Sequence, residues 1–165
     1  MFKATLTASL LLAAPALAQD VASGDASKGE AVFKQCAACH VVENDAGEVL
    51  AGRAGKVGPN LYGVSGRTLG TYPDFRYSKS MVAAGEAGTV WNEENFAGYV
   101  KDPTGWLKEL LDDKRARGNM AFKLRSEEDA ANVWAYVTSL DPDAGAGAED
   151  AAADSSEEPA EKAAE

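Results

Sequence analysis

The sequence contains only one histidine and two cysteines in 165 residues, and basic side chains are few for its length. Its 16 lysines and arginines are outnumbered by 26 aspartates and glutamates, which gives a formal net charge of −10. Such a chain lacks the positive surface by which proteins bind the phosphates of nucleic acids. It also has no apolar run long enough to cross a bilayer. A nucleic-acid-binding protein and a polytopic membrane protein are therefore disfavoured.

Residues 1–18 predict a cleavable signal peptide. Lys3 supplies a positive charge, an apolar stretch follows, and Ala16 and Ala18 form a small-x-small cleavage pattern. The apolar stretch is too short for a transmembrane helix. We therefore expect export to the periplasm and a mature chain that begins at Gln19.

Residues 141–165 predict an acidic, disordered tail. They contain nine aspartates and glutamates, one lysine and no large apolar side chain. This composition cannot bury enough apolar surface to offset the entropy cost of ordering the chain. Without the two ends, 19–140 remains, with 14 basic and 17 acidic residues and the length of one domain. Most of the net negative charge thus belongs to the tail and not to the fold.

Helical signals dominate the domain, and no segment shows sustained period-two alternation, so we predict an all-α fold with long loops. Glycines are frequent over 42–71, which we expect to be a loop with little regular structure. The first helix is predicted to run to about Cys39, and the second to end at Gly85. Residues that favour helix N-caps precede the five predicted helices: Asp25, Ser78, Asn92, Thr104 and Ser126.

Both cysteines and the only histidine lie within five residues, as Cys36, Cys39 and His40. This C-x-x-C-H spacing is typical of covalent haem attachment. The two thiols can add to the two vinyl groups on one side of a haem. The adjoining histidine can then bind the iron through a neutral imidazole nitrogen. Haem is attached in this way outside the cytoplasm, in agreement with the predicted signal peptide.

Three other interpretations of the same residues are weaker. A redox dithiol of the thioredoxin type needs a βαβ setting, which the sequence lacks. A zinc site would need a fourth ligand at a characteristic spacing. A structural disulfide that closes so short a ring would stabilise the fold little.

An iron atom bound by one histidine needs a sixth ligand or keeps an open position. In the absence of a second histidine, the candidates are Met81, Met120, a lysine, a tyrosine or none. Met81 lies in a predicted helix, where we expect an apolar side chain to pack in the core. Met120 lies in a loop directly before the last helix, from which a side chain can reach into a crevice. The pattern favours Met120.

The order of motifs resembles that of class I cytochromes c, in particular the long soluble bacterial type that is close to mitochondrial cytochrome c. The resemblance covers about 24–140, and its motifs together are far more specific than the haem motif alone. Around the haem motif they are Gly24, Asp25, Lys28, Gly29, Phe33, Gly58, Pro59, Asn60, Leu61, Gly63, Gly66, Arg67, Phe75, Arg76, Tyr77, Ser78, Trp91, Tyr99, Pro103, Met120, Phe122, Trp134, Ala135, Tyr136 and Val137.

The resemblance implies a cytochrome c fold, with three to five helices and long loops wrapped around one haem c. Its axial ligands would be His40 and Met120, and the Pro59 carbonyl would accept a hydrogen bond from the other imidazole nitrogen. Tyr99 would lie near the sulfur of the axial methionine, and Gly29 would pack on the last helix. Four further residues match positions that hydrogen-bond or neutralise the haem propionates: Arg67, Tyr77, Ser78 and Trp91.

An iron atom with one imidazole and one thioether ligand suits electron transfer. A thioether sulfur is a soft ligand that stabilises ferrous iron and raises the reduction potential. No coordination position stays open for peroxide or a gas, so we do not expect an enzyme. The alternative is a five-coordinate haem enzyme or gas sensor, in which Met120 does not bind the iron.

A basic segment surrounds the candidate methionine and predicts a docking face for acidic redox partners. Its basic residues are Lys114, Arg115, Arg117, Lys123 and Arg125. The resemblance implies a monomeric carrier that takes electrons from a membrane quinol-oxidising cytochrome bc-type complex. It would deliver them to an oxidase, a periplasmic reductase or a photosynthetic reaction centre. Gly118 and Asn119 replace the hydroxyl residue and the lysine that usually precede the axial methionine in the family.

Overall fold

The computed structural model describes residues 22–53 and 57–142. The predicted signal peptide and nearly all of the predicted tail lie outside these residues. Within them no helix is long and apolar enough to cross a membrane. The helices are α1 (Ala26–Phe33), α2 (Lys79–Glu86), α3 (Glu93–Lys101), α4 (Pro103–Leu110) and α5 (Glu127–Ser139), and the strands are β1 (Val41–Glu43) and β2 (Val49–Gly52).

The prediction of a helical fold with long loops is confirmed, but one β-hairpin lies within the segment predicted to lack regular structure. Strands β1 and β2 pair antiparallel, with Val41 opposite Gly52. Glycine was an ambiguous signal here because it also serves at the turn and the end of a hairpin. Gly47 and Gly52 both have a φ angle of 79°, which is a backbone conformation that other residues rarely adopt.

Helix α1 is shorter than predicted. Asp25 caps its N-terminus as expected, but the regular helix ends at Phe33 and tight turns continue to Cys39. In these turns the backbone N–H of His40 donates to the carbonyl of Cys36 at 3.0 Å. The turns keep the C-x-x-C-H motif compact, so its three functional side chains stay close together.

Helix α2 continues through Gly85, where the sequence predicted its end. A Cβ at this position would collide with the carbonyl oxygen of Leu69. The glycine therefore allows two backbones to approach closely, and it does not terminate the helix. The predicted N-caps of α2, α3 and α5 are present: Ser78, Asn92 and Ser126.

Helix α4 begins two residues earlier than predicted, because Asp102 and not Thr104 is its N-cap. Pro103 occupies the first turn, where its fixed φ angle and its missing N–H are tolerated. The leucines of this helix are not equally buried. Leu107 is fully buried, whereas Leu110 is 40% exposed.

The first and last helices pack together and support the rest of the fold. Gly29 lets α1 approach the backbone of α5 so closely that no Cβ would fit between them. The rings of Phe33 and Tyr136 lie 5.5 Å apart across this contact. Phe96 of α3 contacts Trp134 of α5, with ring centroids 5.3 Å apart. Helices α1, α3 and α5 thereby form one packed unit beside the site described next.

Candidate functional site

A cavity of about 290 Å³ lies between the C-x-x-C-H turn, the loop after β2, helices α2 and α3, and the loop that precedes α5. It brings together side chains that are far apart in the sequence. Every cofactor or metal residue predicted from the sequence lies in its lining: Cys36, Cys39, His40, Pro59, Arg67, Tyr77, Ser78, Trp91, Tyr99 and Met120.

The composition of the lining fits a haem. Most of the remaining wall is apolar, as a porphyrin face requires, and a few polar groups converge where charged propionates would need partners. Arg67, Tyr77 and Ser78 are among the polar side chains of the lining that are available for that purpose. Several of the other lining side chains belong to the hydrophobic core: Val64, Met81, Phe96, Val100 and Val133.

Cys36 and Cys39 both line this cavity and are partly buried. Burial, with a smaller contribution from Cys39, raises the pKa of the Cys36 thiol to about 11. Reactive dithiols usually have lowered pKa values, and the pKa of Cys36 shifts in the opposite direction. Over 22–53 and 57–142, no group of three or more His, Cys, Asp or Glu side chains is arranged to hold a metal ion.

The imidazole of His40 is held in one orientation and one protonation state. Its Nδ1 lies 2.9 Å from the carbonyl oxygen of Pro59. Since a carbonyl can only accept a hydrogen bond, Nδ1 carries the proton and Nε2 keeps a free lone pair. Burial lowers the pKa of His40, which favours the neutral ring. Gly58 leaves room for the ring, because a Cβ there would collide with it.

Arg67 reaches the cavity, but two of its donors bind the main chain. Its Nη1 donates to the carbonyl of Tyr62 and its Nη2 to the carbonyl of Asn60, each at 3.0 Å. Its Cζ lies 5.0 Å from the centre of the Tyr72 ring. Arg67 therefore shapes the loop that follows Pro59, in addition to the propionate contact that the resemblance implies.

The tyrosines and the serine of the cavity can all act as hydrogen-bond donors. Burial, with a smaller contribution from Tyr77, raises the pKa of Tyr99 to about 12. Burial also raises the pKa of Tyr77, so both hydroxyl groups stay protonated at neutral pH. The Ser78 hydroxyl accepts the N–H of Met81 at 3.2 Å and keeps its own proton to donate.

Met120 lies in the coil between α4 and α5, and hydrogen bonds from two helices hold this coil in place. The N–H of Arg117 donates to the hydroxyl of Ser80 at 3.0 Å. The N–H of Gly118 donates to the hydroxyl of Thr104 at 3.2 Å. Thr104, predicted as a helix cap, thus anchors the methionine loop instead.

The same loop is anchored again around the methionine. Immediately before it, the amide of Asn119 donates to the carbonyl of Arg76 at 3.3 Å. After it, Lys123 forms an ion pair with Asp102 at 2.8 Å. These contacts hold the backbone around Met120 in place, although Gly118 and Asn119 differ from the residues that usually precede the axial methionine.

Met81 also lines the cavity, so both candidate methionines are in reach of it. The two differ in their surroundings. Met81 belongs to helix α2 and is only 3% exposed, as a core residue would be. Met120 belongs to a coil and is partly buried, as suits a side chain that fills the cavity only together with a cofactor.

Trp106 of helix α4 supports the site, although the sequence motifs did not point to it. Its indole stacks on Trp91 and contacts Tyr99 edge-on, with ring centroids 6.4 Å and 5.8 Å away. Gly98 makes room for it, since a Cβ there would lie 2.6 Å from the indole. A glycine inside helix α3 was the available signal, because glycine lowers helix stability and often marks close packing.

The predicted docking face divides into paired and unpaired charges. All five basic side chains are exposed, but Arg115 lies 3.6 Å from Asp113 and Lys123 is paired with Asp102. The other three have no ion-pair partner among the residues that the structure describes: Lys114, Arg117 and Arg125.

Two apolar side chains of the cavity lining are exposed to solvent, and one of them lies within the basic segment. Val57 and Phe122 both line the cavity and are 72% and 39% exposed. Exposed apolar side chains next to a charged segment are the usual composition of a protein interface, where the apolar part is buried and the charges orient the partner.

Comparison with known proteins agrees with this geometry. A family model described as "Cytochrome c" matches residues 26–141. The chain is 57% identical over 118 residues to cytochrome c2 of Rhodovulum adriaticum, which covers 72% of this chain and 94% of that protein. It is 41% identical over 152 residues to cytochrome c-550 of Paracoccus denitrificans, covering 90% and 93% of the two chains.

Solved structures show the same fold. The crystal structure of cytochrome c2 from Rhodobacter sphaeroides matches with a TM-score of 0.69 and 51% identity, covering 71% of this chain and 96% of that one. Cytochrome c2 from Paracoccus denitrificans matches with a TM-score of 0.69 and 38% identity, covering 74% and 100%. The chain therefore belongs to the cytochrome c family and binds haem c covalently through Cys36 and Cys39.

Proposed function

We propose that this protein is a periplasmic, monomeric electron carrier with one haem. It takes electrons from a membrane quinol-oxidising cytochrome bc-type complex and delivers them to an oxidase, a periplasmic reductase or a photosynthetic reaction centre. The cavity is the observation that carries this proposal. It combines two thiols, an imidazole with its Nε2 free and a thioether in one apolar space.

His40 and Met120 are the proposed axial ligands. When bound, the haem supplies an iron atom that gains or loses one electron at a time. The protein fixes the tautomer of His40 through the Pro59 carbonyl, so that Nε2 would be free to bind the iron as a neutral donor. The anchored loop presents the soft sulfur of Met120, which favours the reduced state.

The polar side chains of the cavity have a separate task. We assign the propionate contacts to Arg67, Tyr77, Ser78 and Trp91, which all line the cavity. Buried carboxylates need donors or a positive charge, and these residues provide both. Tyr99 is held against Trp91 with ring centroids 5.3 Å apart, and we assign it to the methionine side of the haem, where its ring would keep water away.

This arrangement is that of a carrier and not of an enzyme. With imidazole and thioether ligands both bound, no coordination position is open to a substrate or a gas. The apolar lining excludes water, and the anchored ligands need to move little when one electron enters or leaves. Partners would dock on the basic segment around Met120, and the exposed lining residues Val57 and Phe122 would supply apolar contact area.

Absorption spectra of the purified protein test the axial ligands. The reduced form should show a sharp α band, and the oxidised form a weak far-red band from the iron–methionine bond. We expect Met120→Leu to lose the far-red band and Met81→Leu to keep it. Loss in the Met81 variant alone would contradict the ligand assignment. Rapid carbon monoxide binding by the reduced wild type would instead favour a haem enzyme or gas sensor.

A further inference from the structure

The main chain around His40 is bonded on both sides to the main chain around Pro59. The carbonyls of the two residues that flank His40 accept the N–H groups of Gly58 and Leu61, each at 2.9 Å. The hydrogen bond from the imidazole to the Pro59 carbonyl lies between these two contacts. The loop over 58–62 therefore runs along the histidine segment as an additional strand would.

The side chain of Asn60 extends this pairing by one more step. Its Oδ1 accepts the N–H of Glu43 at 3.0 Å, and its Nδ2 donates to the carbonyl of Glu43 at 2.7 Å. The same Oδ1 also accepts the N–H of Tyr62 at 3.0 Å. One side-chain amide thus satisfies both backbone groups of a residue in β1, as a neighbouring strand would do.

Asn60 is fixed from its other side as well. Its carbonyl accepts the Nη2 group of Arg67 at 3.0 Å. The side chain must present an acceptor oxygen and a donor nitrogen at the same time, and asparagine carries both on one short amide group. With side chain and carbonyl both bonded, Asn60 has little freedom to rotate.

The carbonyl that binds the imidazole belongs to the peptide unit that joins Pro59 to Asn60. Since a peptide unit is planar and rigid, fixing Asn60 fixes the direction of that carbonyl. Its direction sets the strength of the hydrogen bond from His40 Nδ1. A stronger bond makes the imidazole a better electron donor, which stabilises ferric iron over ferrous iron.

We propose that Asn60 is a positioning residue that sets the hydrogen bond on the axial imidazole and thereby the reduction potential of the haem. This inference rests on the proposed role of His40 as an iron ligand. It depends on the hydrogen bonds between Asn60 and Glu43. It does not depend on which residue is the sixth ligand of the iron.

The test is Asn60→Ala in the protein with its haem attached. We expect the redox equilibrium to shift toward the ferrous form by about threefold to tenfold, which is a rise of about 28–59 mV at 59 mV per tenfold change. The Nδ1 proton of His40, followed by NMR, should exchange with solvent faster than in the wild type. A merely structural role would lower stability without changing these two quantities.

Asn44→Ala is the matched control. Asn44 directly follows Glu43 in the turn between β1 and β2. Its Oδ1 accepts the N–H groups of Ala46 and Glu48 at 3.1 Å and 2.9 Å. Its described hydrogen bonds stay within the hairpin turn and do not reach the loop over 58–62. Its removal should leave both the potential and the proton exchange unchanged.

A milder variant, Asn60→Asp, keeps the acceptor bonds but loses the donor to the Glu43 carbonyl, and it serves if the alanine variant does not mature. Asn44→Asp then controls for the added charge. Unchanged potential and exchange in the Asn60 variants, or equal shifts in the Asn44 variants, would overturn the inference. Failure of the proposed ligand set is distinguishable, since the wild type would then lack hyperfine-shifted imidazole signals of His40.

Discussion

Trp106 and Trp91 stack with their ring planes 15° apart, although one belongs to helix α4 and the other precedes helix α3. Trp91 lines the haem cavity and Trp106 does not. Trp106 therefore packs on the side of Trp91 that faces away from the cavity. Both indoles also contact Tyr99, so the three aromatic side chains form one cluster.

Trp106→Ala should lower the free energy of unfolding by about 3 kcal/mol, because it removes a large ring that is packed against two others. Trp106→Phe keeps one aromatic ring in the cluster and should cost less than half of this. Denaturant unfolding of the haem-bound protein measures both values. A loss below about 1 kcal/mol for the alanine variant would show that Trp106 does not support the cavity.

Thr104→Val should weaken the attachment of Met120 to the iron. The variant keeps the shape of the side chain but removes the hydroxyl that accepts the N–H of Gly118. A hydrogen bond of this kind contributes about 1 kcal/mol, so an added ligand such as imidazole should displace the methionine about fivefold more readily. The far-red band of the oxidised protein reports the displacement.

Thr138→Val is the matched control for that experiment. Its hydroxyl donates to the carbonyl of Trp134 within helix α5, at 2.9 Å, and does not contact the methionine loop. The same loss of a hydroxyl should leave ligand displacement at the wild-type level. Equal sensitivity of the two variants would mean that general destabilisation, and not the anchor on Gly118, controls the loop.

Charge reversal on the docking face should slow association with an acidic redox partner, and the unpaired residues should matter most. Arg117→Glu is expected to reduce the association rate several-fold at low salt, and added salt should remove most of the difference. Arg115→Glu should have a smaller effect, because Asp113 already offsets its charge. Stopped-flow kinetics against a purified bc-type complex would measure these rates.

Lys28→Glu serves as the control for charge reversal. Lys28 lies on α1 and pairs with Glu128, outside the basic segment around Met120. Its reversal changes the net charge by the same amount as the Arg117 variant. A rate equal to that of the Arg117 variant would mean that partners respond to net charge and not to a defined face.

The ion pair between Lys123 and Asp102 should make the methionine loop sensitive to acid. The hydrogen bond from Lys123, followed by that from Gly105, lowers the pKa of Asp102 from its ordinary value of 3.8. Because the folded-state pKa is the lower one, the stabilisation is complete above pH 3.8 and is lost as pH falls through the lowered pKa. Asp102→Asn should remove this part of the acid dependence.

Unfolding of the wild type and of the Asp102→Asn variant, measured from pH 6 to pH 2, gives the comparison. The two curves should differ at pH 6 and converge at the acidic end. Asp113→Asn, in which the lost carboxylate pairs only with Arg115 at 3.6 Å, should follow the wild type more closely. A constant difference between wild type and Asp102→Asn across the range would contradict the assignment.

Features encoded within a few residues could be predicted from the sequence. The C-x-x-C-H motif and the caps Asp25, Asn92 and Ser126 depend only on neighbouring residues, and the structure has them where they were expected. The predicted start of α4 was wrong because two residues that can cap a helix, Asp102 and Thr104, lie close together in the sequence. Only the position of the distant Gly118 decides which of them is free to cap.

Contacts between distant segments could not be predicted in this way. The amide of Asn60 is one of several polar side chains in a glycine-rich segment, and its role depends on a hairpin that places Glu43 beside it. Gly85 and Gly98 were similarly ambiguous. A glycine can end a helix or allow another element to approach closely, and the sequence looks the same in both cases. Only the position of the neighbouring element shows which of the two applies.

The crowded packing around the imidazole of His40 has a consequence for speed. The ring packs against Gly58, where a Cβ would not fit, and the hydrogen bond to the Pro59 carbonyl holds it in one orientation. As the proposed iron ligand, His40 would then keep one orientation whether the iron is ferrous or ferric. Little nuclear reorganisation accompanies each electron, so the distance to the partner's cofactor, and not any motion of this protein, would limit the rate of transfer.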